Sequence, residues 1–340
     1  MNVARLSSGA FYRQPSDVTP IAVQVAPLRV LVVTNMFPTA DRPVMGSFVA
    51  EQVASLRCRG LVLDVLFVDG PGSKINYASG LSDVRRIALS APYGLIHAHY
   101  VFSAMLTIAS TAMARCQLPI VVTQHGIEAQ QGWTAPLCRW TSRRTAYTIA
   151  TSSRVAAALP GVRQEVIPCG VDTDLFRPLP RDIARQALGL PADTPLVLFV
   201  GDPRPEKRIP LIQAAVARLQ VRLPAARLLL VHGEPRERIP LYMSACDVLV
   251  LASTAEGSPM VVREALACDL PVVSTDVGDV PELLDGLAGC HIAAATEEDL
   301  ADKLAQSLTR RARSTSRARI LPWSLDGVAE KIEAVYRKVI

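Results

Sequence analysis

Two glutamates, Glu256 and Glu264, have seven residues between them at the start of the stretch EGSPMVVREALACDLPVVSTDVGDVPE, residues 256–282. Ser258 is a good N-cap and Pro259 a good first helical residue, so a helix is expected from there to Ala267 or Cys268, with Pro271 beyond its end. That helix is apolar nearly all round, which places it inside the protein and makes Glu264 a buried carboxylate in need of a partner. Glu256 falls in the loop before it and Glu264 about a turn and a half into it. Two carboxylates reaching one cleft from different elements suit the gripping of two hydroxyl-bearing parts of a ligand. The free amides in the stretch from about Ser258 to Val261, with the helix dipole, suit a phosphate or a sugar hydroxyl. A simpler alternative is a buried Glu264 satisfied by a nearby arginine.

A second group of chemistry-bearing residues sits in GDPRPEKR, residues 201–208, where Arg204, Lys207 and Arg208 follow an apolar strand. Cations at a strand's carboxyl end suit a diphosphate through charge-assisted hydrogen bonds, and a solvated basic loop is the alternative. A third group is histidine: His97 and His99 end one strand and His125, in QHG, ends the next. Strand alternation puts His97 and His99 on one face, but no carboxylate accompanies them at ligand spacing, so no metal is expected.

These residues need a scaffold, and the chain supplies short apolar segments alternating with helical ones. LRVLVVT, VLDVLFV, LIHAHY and PIVVTQ precede residue 125; PLVLFVG, ARLLLVH, DVLVLAS, PVVST and GCHIA follow residue 190. Such runs predict two parallel sheets covered on both faces, which bind ligands at the carboxyl ends of their strands. The loop NMFPTADRPVMG ends in Gly46, where backbone can approach a ligand closely or simply turn. CGVDTDLFRPLPRD, residues 169–182, is rich in turn residues without an apolar period and reads as the domain linker.

A chain of 340 residues, 50% hydrophobic, can build two domains of about 150 residues each. No apolar run approaches the roughly 18 residues that span a bilayer. The first 27 residues lack a signal-length apolar core and read as a loosely ordered tail. Seven cysteines without a CxxC pair read as free thiols of a cytoplasmic protein. The net charge of +5 is concentrated at 138–144 and 310–319, neither stretch carrying the aromatic run expected of a nucleic-acid surface. TAPLCRWTSRRTAY, with Trp133 ahead of it and Arg139, Arg143 and Arg144 within it, suits either an anionic membrane surface or a solvated arginine face.

The words around the two glutamates, DVLVLAS before and EALACDLPVVSTDVGDVPE after, resemble the retaining glycosyltransferases of family 4, and the likeness extends from Leu28 to the end. The resemblance implies a GT-B fold, two Rossmann-like doubly wound α/β domains facing each other across a cleft. The expected division is a tail at 1–27, a first domain at 28–170 completed by a final helix at 324–340, a linker at 171–194 and a second domain at 195–322. It implies a nucleotide-sugar donor, with no further cofactor, and a saccharide or lipid-linked acceptor, in a cytoplasmic protein of bacterial surface-polysaccharide assembly, peripheral membrane contact being one alternative. Glu264 would hold the nucleotide ribose and Glu256 the donor sugar, with His125 beside that sugar. Catalytic roles are expected for Glu256, His125, Lys207 and Arg204, and donor binding for Glu264, Gly46, Ser258, Pro259, Met260 and Val261. Transfer would proceed on the front face with retention, without metal, the donor's phosphate oxygen helping to take the acceptor proton.

The sequence departs from the family pattern in three places. Asp202 follows Gly201 where an arginine is usual, leaving Arg204 as its substitute while Lys207 is kept. Cys169 replaces the usual Asn of NGVD, and HGEPRERIPLYMSACDV leaves little room for a further strand and loop. Asp202 and the trimmed second domain motivate an alternative, a non-catalytic partner of other glycosyltransferases. A dehydrogenase is excluded by the lack of a GxGxxG turn.

Overall fold

A computed structural model describes residues 2–6, 9–13, 27–70, 72–73, 75–310 and 313–340. The chain divides into two compact units, Met1–Gly170 with Leu325–Ile340, and Val171–Ser324.

The first unit is built on an eight-stranded sheet in the order β1-β2-β4-β3-β5-β6-β7-β8. The strands are β1 Asn2–Leu6, β2 Gly9–Arg13, β3 Arg29–Thr34, β4 Val62–Val68, β5 Leu95–His99, β6 Ile120–Gln124, β7 Tyr147–Ala150 and β8 Gln164–Val166. From β4 to β8 every neighbour is parallel, and β3, β5 and β6 are buried almost end to end. Their continuous apolar runs are what a sheet covered on both faces requires. The chain steps from β3 out to β4 and then back past β3 to β5, so the strand order reverses between β3 and β5. The final helix, Leu325–Arg337, packs on helix Ser47–Cys58, where Arg59 bridges Asp326 and Glu333.

The expected loose tail is corrected at its two ends of described chain: Asn2–Leu6 and Gly9–Arg13 are strands, β2 pairing antiparallel with β4. The Tyr12 ring lies 5.4 Å from Phe37, and Gly9, at φ +147°, sits where a Cβ would meet the Phe67 carbonyl oxygen at 2.1 Å. Short strands with glycine at the close approach carry too little apolar sequence to announce themselves. The rest of that tail, 14–26, lies outside the described residues.

The second unit holds a five-stranded, all-parallel sheet in the order β10-β9-β11-β12-β13. Its strands are β9 Leu196–Val200, β10 Arg227–Val231, β11 Val248–Leu251, β12 Val272–Thr275 and β13 His291–Ala293. Buried aliphatic residues fill both faces, one cluster including Leu249, Leu251 and Leu266, the other Val197, Val250 and Leu304. Here the reversal falls between β9 and β11, whose carboxyl ends therefore border a crevice.

The stretch read as a linker contains a helix of this unit, Arg181–Leu188, with Ala184 and Arg185 buried. Arg185 is 2% exposed and donates to the carbonyls of Ala245, Pro191 and Ala192 and to Asp247, while Ile183 is exposed. A buried arginine beside an exposed isoleucine inverts the usual hydrophobic pattern.

Candidate functional site

In the second unit the loops after β9 and β11 meet. The Thr254 amide donates to the Glu206 carbonyl at 2.9 Å, joining the two loops through backbone. Arg208 adopts a left-handed conformation, φ 49°, and turns its guanidinium onto the carbonyls of Ala252 and Ser253. Between these ties Lys207 Nζ donates to Glu256 Oε1 at 2.6 Å, both side chains mostly buried. Residues from two loops thus form one cation–carboxylate pair at the strand-order reversal, where doubly wound sheets bind ligands. Arg204 does not join them: its side chain is 59% exposed and 3.4 Å from Glu206.

The loop carrying Glu256 is pinned from behind. Arg263, on helix Met260–Ala267, pairs with Asp279, and both are almost wholly buried. Ser258 Oγ donates to Asp279 at 3.0 Å and accepts from Arg263 Nε at 3.0 Å. Gly278, at φ +55°, lies so close to this loop that a Cβ would meet the Gly257 carbonyl oxygen at 2.5 Å. The expected Ser258 cap is accordingly corrected. The helix starts at Met260 after Pro259 with no side-chain cap, because the buried ion pair has taken the hydroxyl. Its first amides, including those of Met260 and Val261, are left without a side-chain acceptor.

Glu264, 6% exposed, has the partner its burial demands: Arg236 Nη1 donates to its Oε1 at 2.7 Å. Burial raises the Glu264 pKa above the usual carboxylate value and Arg236 pulls it partly back. The Arg236 guanidinium also lies 5.0 Å from the centre of the Phe176 ring. Sequence reasoning foresaw an arginine for Glu264 but did not identify which; the signal was the arginine in GEPRER, directly after the edge strand β10.

In the first unit the histidines cluster. His97 is fully buried and its ring nitrogens meet the hydroxyls of Tyr336 and Thr123, each at 2.7 Å, which makes it a satisfied core residue. His99 Nδ1 lies 2.9 Å from His125 Nε2, and His125 Nδ1 lies 3.8 Å from Cys169 Sγ. Tyr100 stacks on His125 at 4.5 Å and Phe48 tilts against it at 5.0 Å. Tyr100 has φ 69° and ψ 159°, a conformation essentially reserved for glycine and held here by its amide bond to the Thr123 carbonyl. Burial, reinforced by like-charged neighbours, pushes the His97 and His125 pKa values well down, and burial alone brings His99 to about 3. All three imidazoles are neutral at physiological pH. Gly46, expected at the donor, is positioned by its own loop: φ is +69° and a Cβ would meet the Met36 backbone at 2.4 Å.

Among the described residues, no group of three His, Cys, Asp or Glu side chains could hold a metal ion, and no helix is long and apolar enough to cross a membrane. All seven cysteines are free thiols.

Two doubly wound α/β units, each built on a largely parallel sheet, are the GT-B fold, shared with the solved structures below. Residues 29–175 match Glycosyltransferase Family 4 and residues 198–310 match Glycosyl transferases group 1, and the chain belongs to that family of sugar-transferring enzymes. It is 26% identical over 324 residues to the D-inositol 3-phosphate glycosyltransferase of Mycobacteroides abscessus, covering 80% of this chain and 72% of the relative. It is also 26% identical over 350 residues to the putative teichuronic acid biosynthesis glycosyltransferase TuaC of Bacillus subtilis, covering 83% and 89%. Solved structures share the fold. The sucrose-phosphate synthase of Thermosynechococcus elongatus has a TM-score of 0.78 at 19% identity, over 92% of this chain and 99% of its own. Anabaena HepE in complex with UDP and glucose has 0.71 at 19% identity, over 92% and 100%.

Proposed function

We propose that this glycosyltransferase takes its sugar from a nucleoside diphosphate donor and transfers it, with retention and without metal, to a saccharide or lipid-linked acceptor in surface-polysaccharide or glycoconjugate assembly. The observation that carries the reading is the Lys207–Glu256 pair at the carboxyl ends of β9 and β11. Lys207 is the cation for the departing diphosphate, and the open amides before Val261 receive the same phosphates. Glu264 receives the ribose hydroxyls, exchanging its bond with Arg236 for them. Glu256 orients the donor sugar, and in the first unit neutral His125 has a hydrogen bond to give to a substrate oxygen. The bond from the sugar's anomeric carbon to the phosphate oxygen breaks, the acceptor oxygen bonds to that carbon on the same face, and the acceptor's proton passes to the departing phosphate.

Relatives and neighbours support this choice of substrates. TuaC is named for teichuronic acid biosynthesis, and HepE is solved with UDP and with UDP-glucose. The test is differential scanning fluorimetry against nucleoside diphosphates and nucleotide sugars, since a ligand of the native state raises apparent stability. One donor should shift the native protein and leave Lys207→Ala and Glu264→Ala unshifted. No shift from any donor at saturation favours the non-catalytic alternative.

A peripheral membrane contact is the finer part of the reading. Trp133 is 73% and Trp140 41% exposed, Arg143 and Arg144 are exposed beside them, and the Arg144 guanidinium lies 5.4 Å from the Trp140 ring centre. Aromatic and basic side chains together suit an anionic lipid surface. Flotation with anionic liposomes should be lost on replacing Arg139, Arg143 and Arg144 by Gln; equal flotation removes this part.

A further inference from the structure

Strand β5 ends with His97 and His99 on one face, yet the two rings are finished differently. Both nitrogens of His97 meet hydroxyls, which can donate or accept and so impose nothing on it. His99 is more constrained. Its Nδ1 meets His125 Nε2 at 2.9 Å, and its Nε2 faces the side-chain amide nitrogen of Gln52, on helix Ser47–Cys58, at 3.5 Å.

A neutral imidazole has one N–H and one bare nitrogen, so every contact in this row must pair a donor with an acceptor. The Gln52 amide nitrogen only donates, so His99 Nε2 accepts and the His99 proton sits on Nδ1. That proton points at His125 Nε2, which must then be bare. His125 consequently carries its own proton on Nδ1, directed at Cys169 Sγ 3.8 Å away. The opposite order would set the His99 Nε2 proton against the Gln52 amide protons and leave two donors facing each other, that of His99 buried.

We infer that His99 is a positioning residue that fixes His125 as its Nδ1–H tautomer, and that Cys169 holds this N–H only weakly until a substrate oxygen replaces the sulfur. A thiol is a poor acceptor and its contact is long, so giving it up costs little. The same row explains the use of a buried neutral histidine: it delivers one hydrogen bond in a set direction without the desolvation a charged donor would suffer. The assignment to substrate rests on the reading of His125 as the donor sugar's neighbour; the assignment of the tautomer does not.

The experiment is long-range proton–nitrogen correlation NMR of the histidine rings in the 15N-labelled full-length protein at neutral pH. His125 is expected to show a protonated Nδ1 and a bare Nε2. His99→Asn, whose amide nitrogen occupies nearly the place of Nδ1 and still donates, should keep that pattern. His99→Phe removes the donor and should move His125 to the Nε2–H form that a free imidazole prefers. Should His99→Phe fold poorly, Gln52→Leu frees His99 from the outside and should give His125 a mixed pattern. A protonated Nε2 in the native protein, or an unchanged pattern in the folded Phe and Leu variants, overturns the inference. In transfer assays His99→Phe should lower kcat about ten- to a hundredfold, with KM changed far less, and His99→Asn should recover most of it. The expected tautomer without any sugar transfer in the native protein breaks the functional reading and leaves the tautomer assignment standing.

Discussion

The candidate site residues of the two units are held by opposite means. In the first, His97, His99 and His125 are neutral and adjacent, His97 tilted against His99 and His99 stacked on and bonded to His125, with Tyr100 and Phe48 against His125. In the second, Lys207 with Glu256, Arg236 with Glu264 and Arg263 with Asp279 are opposite charges in contact. Neutral rings in a row fix the direction of a hydrogen bond and tolerate burial. Charged pairs keep carboxylates and cations available at full strength, at the cost of desolvating them, so each needs either deep fixation or a ligand to exchange with. The second unit does both: Arg263 and Asp279 are sealed behind the loop, while the pairs of Lys207 and Glu256 and of Arg236 and Glu264 keep part of their surface open.

The largest effect is expected where a sealed charge loses its partner. Asp279→Ala leaves Arg263 buried without a counter-charge and should cost about 3–5 kcal/mol of stability, read from the urea midpoint. It should also loosen the loop that carries Glu256, because Ser258 loses one of its two partners. A loss below about 1 kcal/mol, of the size of an exposed pair, would remove the distinction between sealed and exchangeable pairs.

Next in size is the exchangeable pair. Lys207→Ala should weaken binding of a nucleoside diphosphate by roughly 1.5–3 kcal/mol, the value of hydrogen bonds to a charged group, measured by titration calorimetry. The same variant should shift the urea midpoint far less than Asp279→Ala does. Unchanged diphosphate affinity would make Lys207 a structural partner of Glu256 and nothing more.

What could be read in the sequence divides along the same line. Glu256, Glu264 and Lys207 were legible because their settings are local: a strand, a loop and a helix start written in consecutive residues. Partners chosen by tertiary packing were not. Arg236 lies 28 residues from Glu264, and nothing in its own segment distinguishes it from Arg238. Ser258 was read as a cap because local preference favours that role, and a hydrogen bond to Asp279, 21 residues on, overrode it. Arg204 was expected beside Lys207, but the turn directs Lys207 inward to Glu256 and leaves Arg204 in solvent. The helix Arg181–Leu188 was hidden by a buried arginine, a residue type that pattern reading assigns to the surface.

The smallest effect is the dependence of stability on pH that the histidine row imposes. His99 ionises near about 3 in the folded protein against an unperturbed value of 6.5, because burial disfavours its charged form. Between those values the unfolded chain binds a proton that the folded one does not, so protonation favours unfolding. Its contribution is fully present above about pH 6.5, falls as the pH drops below that value, and stops falling near about pH 3. At pH 5.5 the loss from His99 amounts to about 1.4 kcal/mol. Glu264 acts in the opposite sense, since its raised pKa makes the folded state take up a proton first as the pH falls. The total slope therefore mixes the two units, and only a difference isolates one of them. Urea midpoints of the native protein and His99→Phe, compared at pH 7.5 and 5.5, should converge by about that amount at the lower pH, because the variant has no such proton to gain. Parallel loss in the two proteins would mean that His99 is solvated enough to ionise in place, and the contrast between a neutral histidine row and charged pairs would then reduce to His97 and His125.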